Sequence, residues 1–269
     1  MIIRINQFSE IEHQRFCSVE PGEWVVVSLT NSAEYRFYTE IGAQGEYSIR
    51  ISRRNCDWRL AIGDMIDYTE NTGCNLVLAV SEQELSQIKE YYNDHSFCER
   101  SLRMDEPQIL VHSTPLENLE KIRRDGCLKC WNLVNQVGLL SERVPIGHML
   151  GDPKSFRDYV MLGSGVSCEL VVASRQKKQI VWDADSEYKS GARLYFDADR
   201  LAKDGLLIRD GIHLKVRGRL PLNPYLVWIA TWQSIGLSSR IATPRVFAES
   251  ADREFERRIL HAGRIRSGC

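Results

Sequence analysis

The chain has 269 residues, of which 43% are hydrophobic, and its 35 basic and 36 acidic residues give a net charge of -1. This composition supports one or two hydrophobic cores, and the charge balance removes a global electrostatic reason for binding nucleic acid or an anionic membrane. No stretch approaches the roughly 18 apolar residues of a membrane span, and residues 1–14 turn polar too early for a signal peptide, so we expect a soluble, cytoplasmic protein with no membrane partner.

The first 105 residues predict a small α+β accessory module. Ser81 is a predicted N-cap whose capping-box partner is Glu84, and together they open a helix through about Tyr92. A polar connection over residues 93–107 then separates two modules. Short runs rich in Val, Ile and aromatic residues predict strands at Trp24–Leu29, Tyr35–Tyr38, Tyr47–Ser52 and Asn75–Val80.

Residues 106–269 predict a second, strand-rich module that opens with a well-defined local unit. A strand over Gln108–Val111 leads into His112-Ser113-Thr114, and Pro115 then opens a helix that Gly126 ends. Residues 199–203 and 250–261 have helical patterns. Further strands are predicted at Glu169–Ala173, Gln179–Trp182, Arg193–Phe196, Ile212–Val216 and Tyr225–Thr231.

The eight cysteines are scattered along the chain, which favours reduced thiols over a disulfide framework. Cys127 and Cys130 form the one CxxC motif, but no second pair of ligands accompanies it, so we interpret them as ordinary buried cysteines rather than zinc ligands. A metal site built from His148, Asp152 and Asp158 lacks close ligand spacing. We therefore predict no metal.

Several polar residues follow predicted strands, where a rigid frame would hold them beside a cleft. They are His112, Ser113, Thr114, Tyr159, Arg193, Arg209, Asp210 and His213.

The segment LVHSTPLENLEKIRRDGCL, Leu110 to Leu128, resembles the opening of the ADP-ribosyltransferase superfamily, in which a strand with a His-x-Thr-like element precedes a helix and a Gly-Leu pair. Cys127 is inserted before the leucine. The resemblance is closest to the RNA 2′-phosphotransferases and the DNA-modifying toxins, and the segment Gly191–Val216 is similar to the late part of the phosphotransferase core. The matching positions are His112, Thr114, Ile122, Gly126 and Leu128.

This resemblance implies an α+β, split-sheet transferase domain that uses NAD as its substrate and modifies a nucleic acid or a protein. His112 would contact the nicotinamide-side ribose, and Ser113 and Thr114 would present backbone groups to the nicotinamide amide. Tyr159 or Tyr195 would stack on the nicotinamide ring. Arg193 would hold a phosphate and count among the catalytic groups. His213 would be a second catalytic group, and Arg209 would bind the cofactor.

The reaction also needs a carboxylate that stabilises the oxocarbenium-like transition state of this glycosyltransferase chemistry. The resemblance implies Glu249 or Glu254. Each candidate also has a purely structural alternative. The two glutamates would lie on a solvated helix face, and His112 would hydrogen-bond to its own loop. Arg193 and Arg209 would form surface ion pairs.

Two alternatives to transfer remain open. An RNA 2′-phosphotransferase-like enzyme would use His148, Arg209 and His213 to bind a phosphate. A non-catalytic binding or regulatory protein would keep the same fold but lack the acid.

Overall fold

A computed structural model describes residues 2–5, 24–32, 37–41, 46–95, 100–136 and 145–262. It confirms the α+β class, with seven α-helices and several sheets in these segments. The chain divides into two compact units, each made of three segments. Unit 1 comprises Met1–Arg100, Cys130–Val160 and Leu207–Gly218. Unit 2 comprises Ser101–Lys129, Met161–Leu206 and Arg219–Cys269, so the predicted second module supplies two segments to unit 1.

Unit 1 contains a five-stranded sheet of order β1-β5-β2-β4-β3. Its first four strands in that order are parallel, and β3 is antiparallel to β4. The central strand β2 is a continuous apolar run whose first four residues are buried, as expected of a strand covered on both faces. The strands are β1 (Ile2–Ile5), β2 (Trp24–Thr30), β3 (Phe37–Ile41), β4 (Tyr47–Ser52) and β5 (Asn75–Ala79).

Two helices of unit 1 flank β5 in sequence, α1 (Trp58–Thr72) and α2 (Glu82–His95). The capping box of α2 is confirmed: the Ser81 backbone N–H donates to Glu84 Oε2 over 2.8 Å, and the Glu84 N–H donates to Ser81 Oγ over 3.2 Å. No helix was predicted from the sequence at the position of α1. In the structure this helix buries Leu60, Ile62 and Met65.

The later segments of unit 1 contribute short elements. These are α4 (Trp131–Gln136), two 3-10 helices (Ile146–Leu150 and Lys154–Asp158), the first half of β8 (Tyr159–Leu162), β11 (Ile208–Arg209) and β12 (Leu214–Arg217). The strands β11, β12 and β8 form a three-stranded sheet in that order.

Unit 2 is built around an antiparallel sheet of order β14-β10-β6, with β6 at Ile109–Thr114, β10 at Ala192–Asp197 and β14 at Leu226–Ala230. Two small strand pairs accompany it, β7 (Cys127–Lys129) with β13 (Arg219–Pro221) and β9 (Tyr188–Lys189) with β15 (Ile241–Ala242). Its helices are α3 (Leu119–Asp125), α5 (Ser167–Lys177), α6 (Ala198–Lys203) and α7 (Pro244–Ala262).

The core of unit 2 lies between this sheet and α7. The rings of Tyr195 and Phe255 stack with centroids 4.4 Å apart, and Val111, Ala230 and Ala251 complete the buried cluster. Such aromatic stacking adds roughly 0.5–1.5 kcal/mol to the free energy gained from burial. Thus α7 is held firmly against β6 and β10.

Two predicted strands of the second module are wrong. Glu169–Ala173 lies in α5, where Glu169, Val172 and Ala173 share one buried face at helical spacing. Burial on that face overrides the strand propensity of two adjacent valines. Gln179–Trp182 is irregular, because the Val181 N–H donates to Ser174 Oγ over 2.9 Å instead of to a neighbouring strand.

The other strand and helix predictions match elements of the structure within a few residues, except for Tyr35 and Arg36, which lie outside the described residues. No helix in the described segments combines the length and the apolar character needed to cross a membrane. No disulfide bond joins the cysteines that the structure describes.

Candidate functional site

The pairing of β6 with β10 decides which of the predicted site residues meet. Ser113 lies directly opposite Arg193 in the antiparallel register. Opposed residues of an antiparallel pair share a face, whereas neighbours along a strand point to opposite faces. Ser113, Arg193 and Tyr195 therefore lie on one face of the sheet, and His112 and Thr114 lie on the other.

Arg193 is the centre of a buried charged cluster. The residue is 0% exposed, and its Nε donates to Tyr195 Oη over 3.0 Å and to Asp252 Oδ1 over 3.1 Å. Nη1 donates to the Gly165 carbonyl over 3.1 Å and to Glu169 Oε1 over 3.3 Å. Nη2 donates to both carboxylate oxygens of Asp252, over 3.0 and 3.1 Å. Each of the three guanidinium nitrogens therefore has two acceptors, and because the residue is fully buried a phosphate could reach it only by displacing one of them.

Glu169 is the fully buried acid of the cluster. It accepts hydrogen bonds from the hydroxyls of Ser113 and Tyr188, the latter over 2.7 Å, besides its bond from Arg193. Burial is the largest influence on the pKa of Glu169 and raises it, while the Ser113 bond and the Arg193 charge act in the opposite direction. Glu169 thus ties β6, β9 and β10 to α5.

Asp252 is the accessible acid of the cluster, with 39% of its side chain exposed. It lies on α7, and its Oδ1 also accepts a hydrogen bond from Tyr195 Oη over 2.8 Å. Oδ1 therefore accepts three hydrogen bonds, whereas Oδ2 accepts one from the described residues. The carboxylate is held in one orientation and keeps acceptor capacity on Oδ2.

His112 is half-buried on the other face of β6. Its Nδ1 lies 3.0 Å from the Met161 carbonyl oxygen. A carbonyl can only accept, so Nδ1 carries the proton and Nε2 is an acceptor. Burial lowers the pKa of His112 to about 4, outweighing the Met161 bond, and the imidazole is neutral near pH 7.

This neutral state predicts a pH effect on stability. The folded pKa of about 4 lies below the ordinary 6.5, so the stabilisation is complete above 6.5 and is lost as the pH falls toward 4. Between pH 7 and 4 we expect the free energy of unfolding of the wild type to fall by roughly 1–2 kcal/mol more than that of His112→Asn. This figure is reduced because the ring is partly exposed. Urea denaturation at each pH measures the difference, and parallel pH profiles would contradict it.

The outer edge of β6 has a backbone partner at Val111 but none at Ser113 within the described segments. The N–H and C=O of Val111 both bond to Gly163, over 2.8 and 2.9 Å, which shows that they point away from β10. The backbone groups of Ser113, two residues further on, point to the same edge. No backbone partner for them is present within the described part of the chain.

The structure separates the remaining predicted site residues. Thr114 Oγ1 accepts a hydrogen bond from Asn118 Nδ2 over 3.0 Å. Glu249 is exposed on α7. Glu254 is ion-paired with Arg257 and Arg258 over 2.9 and 2.7 Å, and these bonds lower its pKa to about 2. Neither glutamate joins the Arg193 cluster. Tyr159, Arg209 and His213 belong to unit 1.

The sequence interpretation missed Glu169 and Asp252. A signal for Asp252 was present, because Ala248, Ala251 and Phe255 recur at the spacing of one helical face and Asp252 lies beside that stripe. Glu169 could not be found while its segment was interpreted as a strand. No group of three His, Cys, Asp or Glu side chains in the described segments is arranged to hold a metal ion.

Comparisons with known proteins identify no relative. No model of a protein family, no curated protein and no solved structure matches the chain.

Proposed function

We propose that unit 2 catalyses NAD-dependent ADP-ribosyl transfer to a nucleic-acid or protein acceptor, with Asp252 as its catalytic acid. The observation that carries the proposal is the position of Asp252: a part-exposed carboxylate, oriented by Arg193 and Tyr195, beside the strand pair that includes the His-Ser-Thr element. The resemblance of Leu110–Leu128 to the ADP-ribosyltransferase superfamily calls for such an acid and supports the same reaction.

The chemistry assigns Asp252 a defined task. The bond between the ribose C1′ and nicotinamide breaks, and nicotinamide leaves with the electron pair. Positive charge then develops on the ribose ring, and an oriented carboxylate that accepts the 2′-hydroxyl proton in a hydrogen bond stabilises it. A nucleophile on the acceptor finally bonds to C1′ and releases its proton to solvent water. In this scheme Arg193 is a positioning residue that holds Asp252, and phosphate binding is left to other groups.

The edge of β6 supplies groups for the rest of NAD. One outward N–H and one outward C=O at Ser113 match the acceptor and donor of the nicotinamide carboxamide. His112 lies on the opposite face of β6 from Asp252, so the proposal gives it no contact with the ribose that Asp252 stabilises. Tyr195 is 2% exposed and stacked on Phe255, so the proposal gives it no contact with the nicotinamide ring.

A non-catalytic NAD-binding protein is the second candidate. This candidate is favoured because the guanidinium nitrogens of Arg193 all have acceptors inside the cluster. Such bonding would equally suit an ion cluster with a purely structural role. The two candidates differ in whether Asp252 affects bond cleavage.

Calorimetry with NAD and a nicotinamide-release assay test the proposal on the wild type, Asp252→Asn and His112→Ala. We expect the affinity of Asp252→Asn for NAD to stay within about threefold of the wild type. Its rate of nicotinamide release should fall by roughly 100-fold or more, as for loss of one electrostatic stabiliser. His112→Ala should bind NAD as the wild type does, because its ring lies on the other face of β6 from Asp252.

Asp185→Asn is the matched control, since Asp185 is an exposed acid of the same unit paired with Arg245 over 2.8 Å. It should behave as the wild type. Absence of NAD binding by the folded wild type would overturn the proposal, and NAD binding without nicotinamide release in any variant would favour the second candidate.

A further inference from the structure

The C-terminal end of α5 in unit 2 carries a group of unpaired cations. Gln176 holds β9 beside this end of the helix, because its Nε2 donates to the Lys189 carbonyl over 2.6 Å and its Oε1 accepts the Lys189 N–H over 3.0 Å. None of these cations has an ion-pair partner or a side-chain hydrogen bond among the described residues. The four exposed residues of this basic patch are Arg175, Lys177, Lys178 and Lys189.

An exposed tryptophan lies beside the basic patch. Trp182 follows Val181, whose N–H donates to Ser174 Oγ over 2.9 Å and which belongs to the buried cluster of Val172 and Phe247. These contacts hold the segment after α5 against the last turns of the helix. Trp182 is nevertheless 72% exposed, so its indole is presented to solvent from a fixed backbone.

The charge around the basic patch stays positive when neighbouring acids are counted. Two of these acids are already ion-paired, Glu117 with Arg240 over 2.7 Å and Asp185 with Arg245 over 2.8 Å. Four unpaired cations therefore outnumber two unpaired acids, and the surface suits a ligand with several negative charges. The exposed acids without an ion pair are Asp183 and Glu187.

Helix α5 connects the basic patch to the proposed acid. Glu169 lies in the first turn of α5 and bonds to Arg193, which holds Asp252. Arg175 follows Glu169 by six residues, about 9 Å along the helix axis. Besides burial, the charge of Arg175 lowers the pKa of His112 on β6. The basic patch and Asp252 thus lie near opposite ends of one helix, a span of about three stacked nucleotides.

The combination of unpaired cations with one exposed indole indicates the class of ligand. A single-stranded nucleic acid supplies phosphates for the cations and unstacked bases for the indole. A duplex keeps its bases stacked inside and would leave Trp182 unused, and an acidic peptide would match the charges alone. One indole also buries too little apolar area to hold the chain on a membrane, which needs a continuous apolar face.

We propose that the basic patch and Trp182 form a binding surface for single-stranded nucleic acid, in which the cations contact phosphates and the indole stacks on a base. This binding does not depend on the proposed transfer reaction. Within that reaction the bound strand would be the acceptor, and this assignment alone rests on the proposed function.

Fluorescence anisotropy tests the surface on the full chain without NAD. The probes are a labelled thymidine oligonucleotide of about 12 nucleotides and its uridine RNA counterpart, which distinguish DNA from RNA as the source of the strand. We expect a Kd of about 1–100 μM near physiological salt, the range of binding without sequence specificity. Unlabelled single strand should compete better than duplex.

The Trp182 variants test stacking. Trp182→Ala should weaken binding by roughly 5- to 150-fold, as for loss of one stacked base. Trp182→Phe keeps a ring that stacks and should stay within about threefold of the wild type. The tryptophan is exposed, so neither change should prevent folding.

The salt dependence tests the cations. For a single strand, the slope of log affinity against log salt concentration has a magnitude of about 0.7 for each phosphate contact. Lys177→Gln should therefore reduce the magnitude of the slope by about 0.7. Lys203→Gln is the matched control, since Lys203 is also an exposed lysine in the last turn of a helix, and it should leave the slope unchanged.

Absence of oligonucleotide binding by the folded wild type, equal binding of single strand and duplex, or binding that Trp182→Ala leaves unchanged would overturn the proposal. Attachment to vesicles of anionic lipid without binding of either oligonucleotide would also overturn it and identify a membrane surface. A chain that binds the oligonucleotide but not NAD would refute the transfer chemistry and support this surface. The reverse result would refute the surface alone.

Discussion

Replacing Arg193 by methionine should lower the free energy of unfolding by about 3–5 kcal/mol at pH 8, the cost of removing one partner from a buried ion pair. The buried Glu169 would lose its counterion, and Asp252 would lose its bidentate partner. Urea denaturation measures the loss. Glu169→Gln in the Arg193→Met background should recover at least about 1 kcal/mol, because it removes the uncompensated charge.

The same reasoning predicts a pH dependence for Arg193→Met. Burial raises the pKa of Glu169, and without Arg193 that carboxyl binds a proton more tightly still in the folded state. A raised pKa gives stability that is present at low pH and lost as the pH rises through the folded value. The variant should therefore be closer to the wild type at pH 5 than at pH 8.

Arg245→Met is the control for this experiment. Arg245 pairs with Asp185 over 2.8 Å, but the two side chains are 49% and 61% exposed. Solvent screens an exposed pair, so this one contributes little to the free energy of unfolding. If Arg193→Met cost no more than Arg245→Met, the buried cluster could not hold Asp252 in place.

Replacing Lys215 by methionine should also cost about 3–5 kcal/mol, since it leaves Asp210 buried without its cation. Methionine occupies nearly the same volume and keeps contact with the Tyr68 and Phe156 rings, so little of the loss would come from packing. Adding Asp210→Asn should restore part of the stability, because an uncharged amide costs less to bury than an unpaired carboxylate.

A lysine–aspartate pair on the surface provides the comparison. Lys203 pairs with Asp199 one helical turn earlier, and the two side chains are 65% and 47% exposed. Lys203→Met should leave the free energy of unfolding almost unchanged, because solvent screens an exposed pair. A similarly small loss for Lys215→Met would show that Lys215 is not committed to Asp210.

Local patterns in the sequence predicted local structure well. The capping box at Ser81 and Glu84 depends on neighbours three residues apart, and the strand with His112 depends on a short apolar run. The ion cluster could not be predicted in this way. Glu169, Arg193 and Asp252 are separated by 24 and 59 residues, and their meeting depends on how α5 and α7 pack against β10. Strand propensity at Val171 and Val172 also hid the helix that carries Glu169.

The alternation of side chains along β6 also divides the predicted site between two faces of the sheet. Neighbouring polar residues in sequence suggested one cluster, but the strand places His112 on one face and Ser113 on the other. Whether Glu249, Asp252 or Glu254 faces the sheet depends on the rotation of α7, which the buried Ala251 and Phe255 determine.

The interleaved segments of the two units have a consequence for folding during synthesis. Unit 1 needs Leu207–Gly218, which leaves the ribosome 118 residues after Arg100. At about 5–20 residues per second, the N-terminal sheet would wait roughly 6–24 s for the turn that carries Asp210, His213 and Lys215. Unit 2 begins later, and its own last segment starts only at Arg219. The N-terminal sheet is therefore synthesised well before the turn that completes its unit.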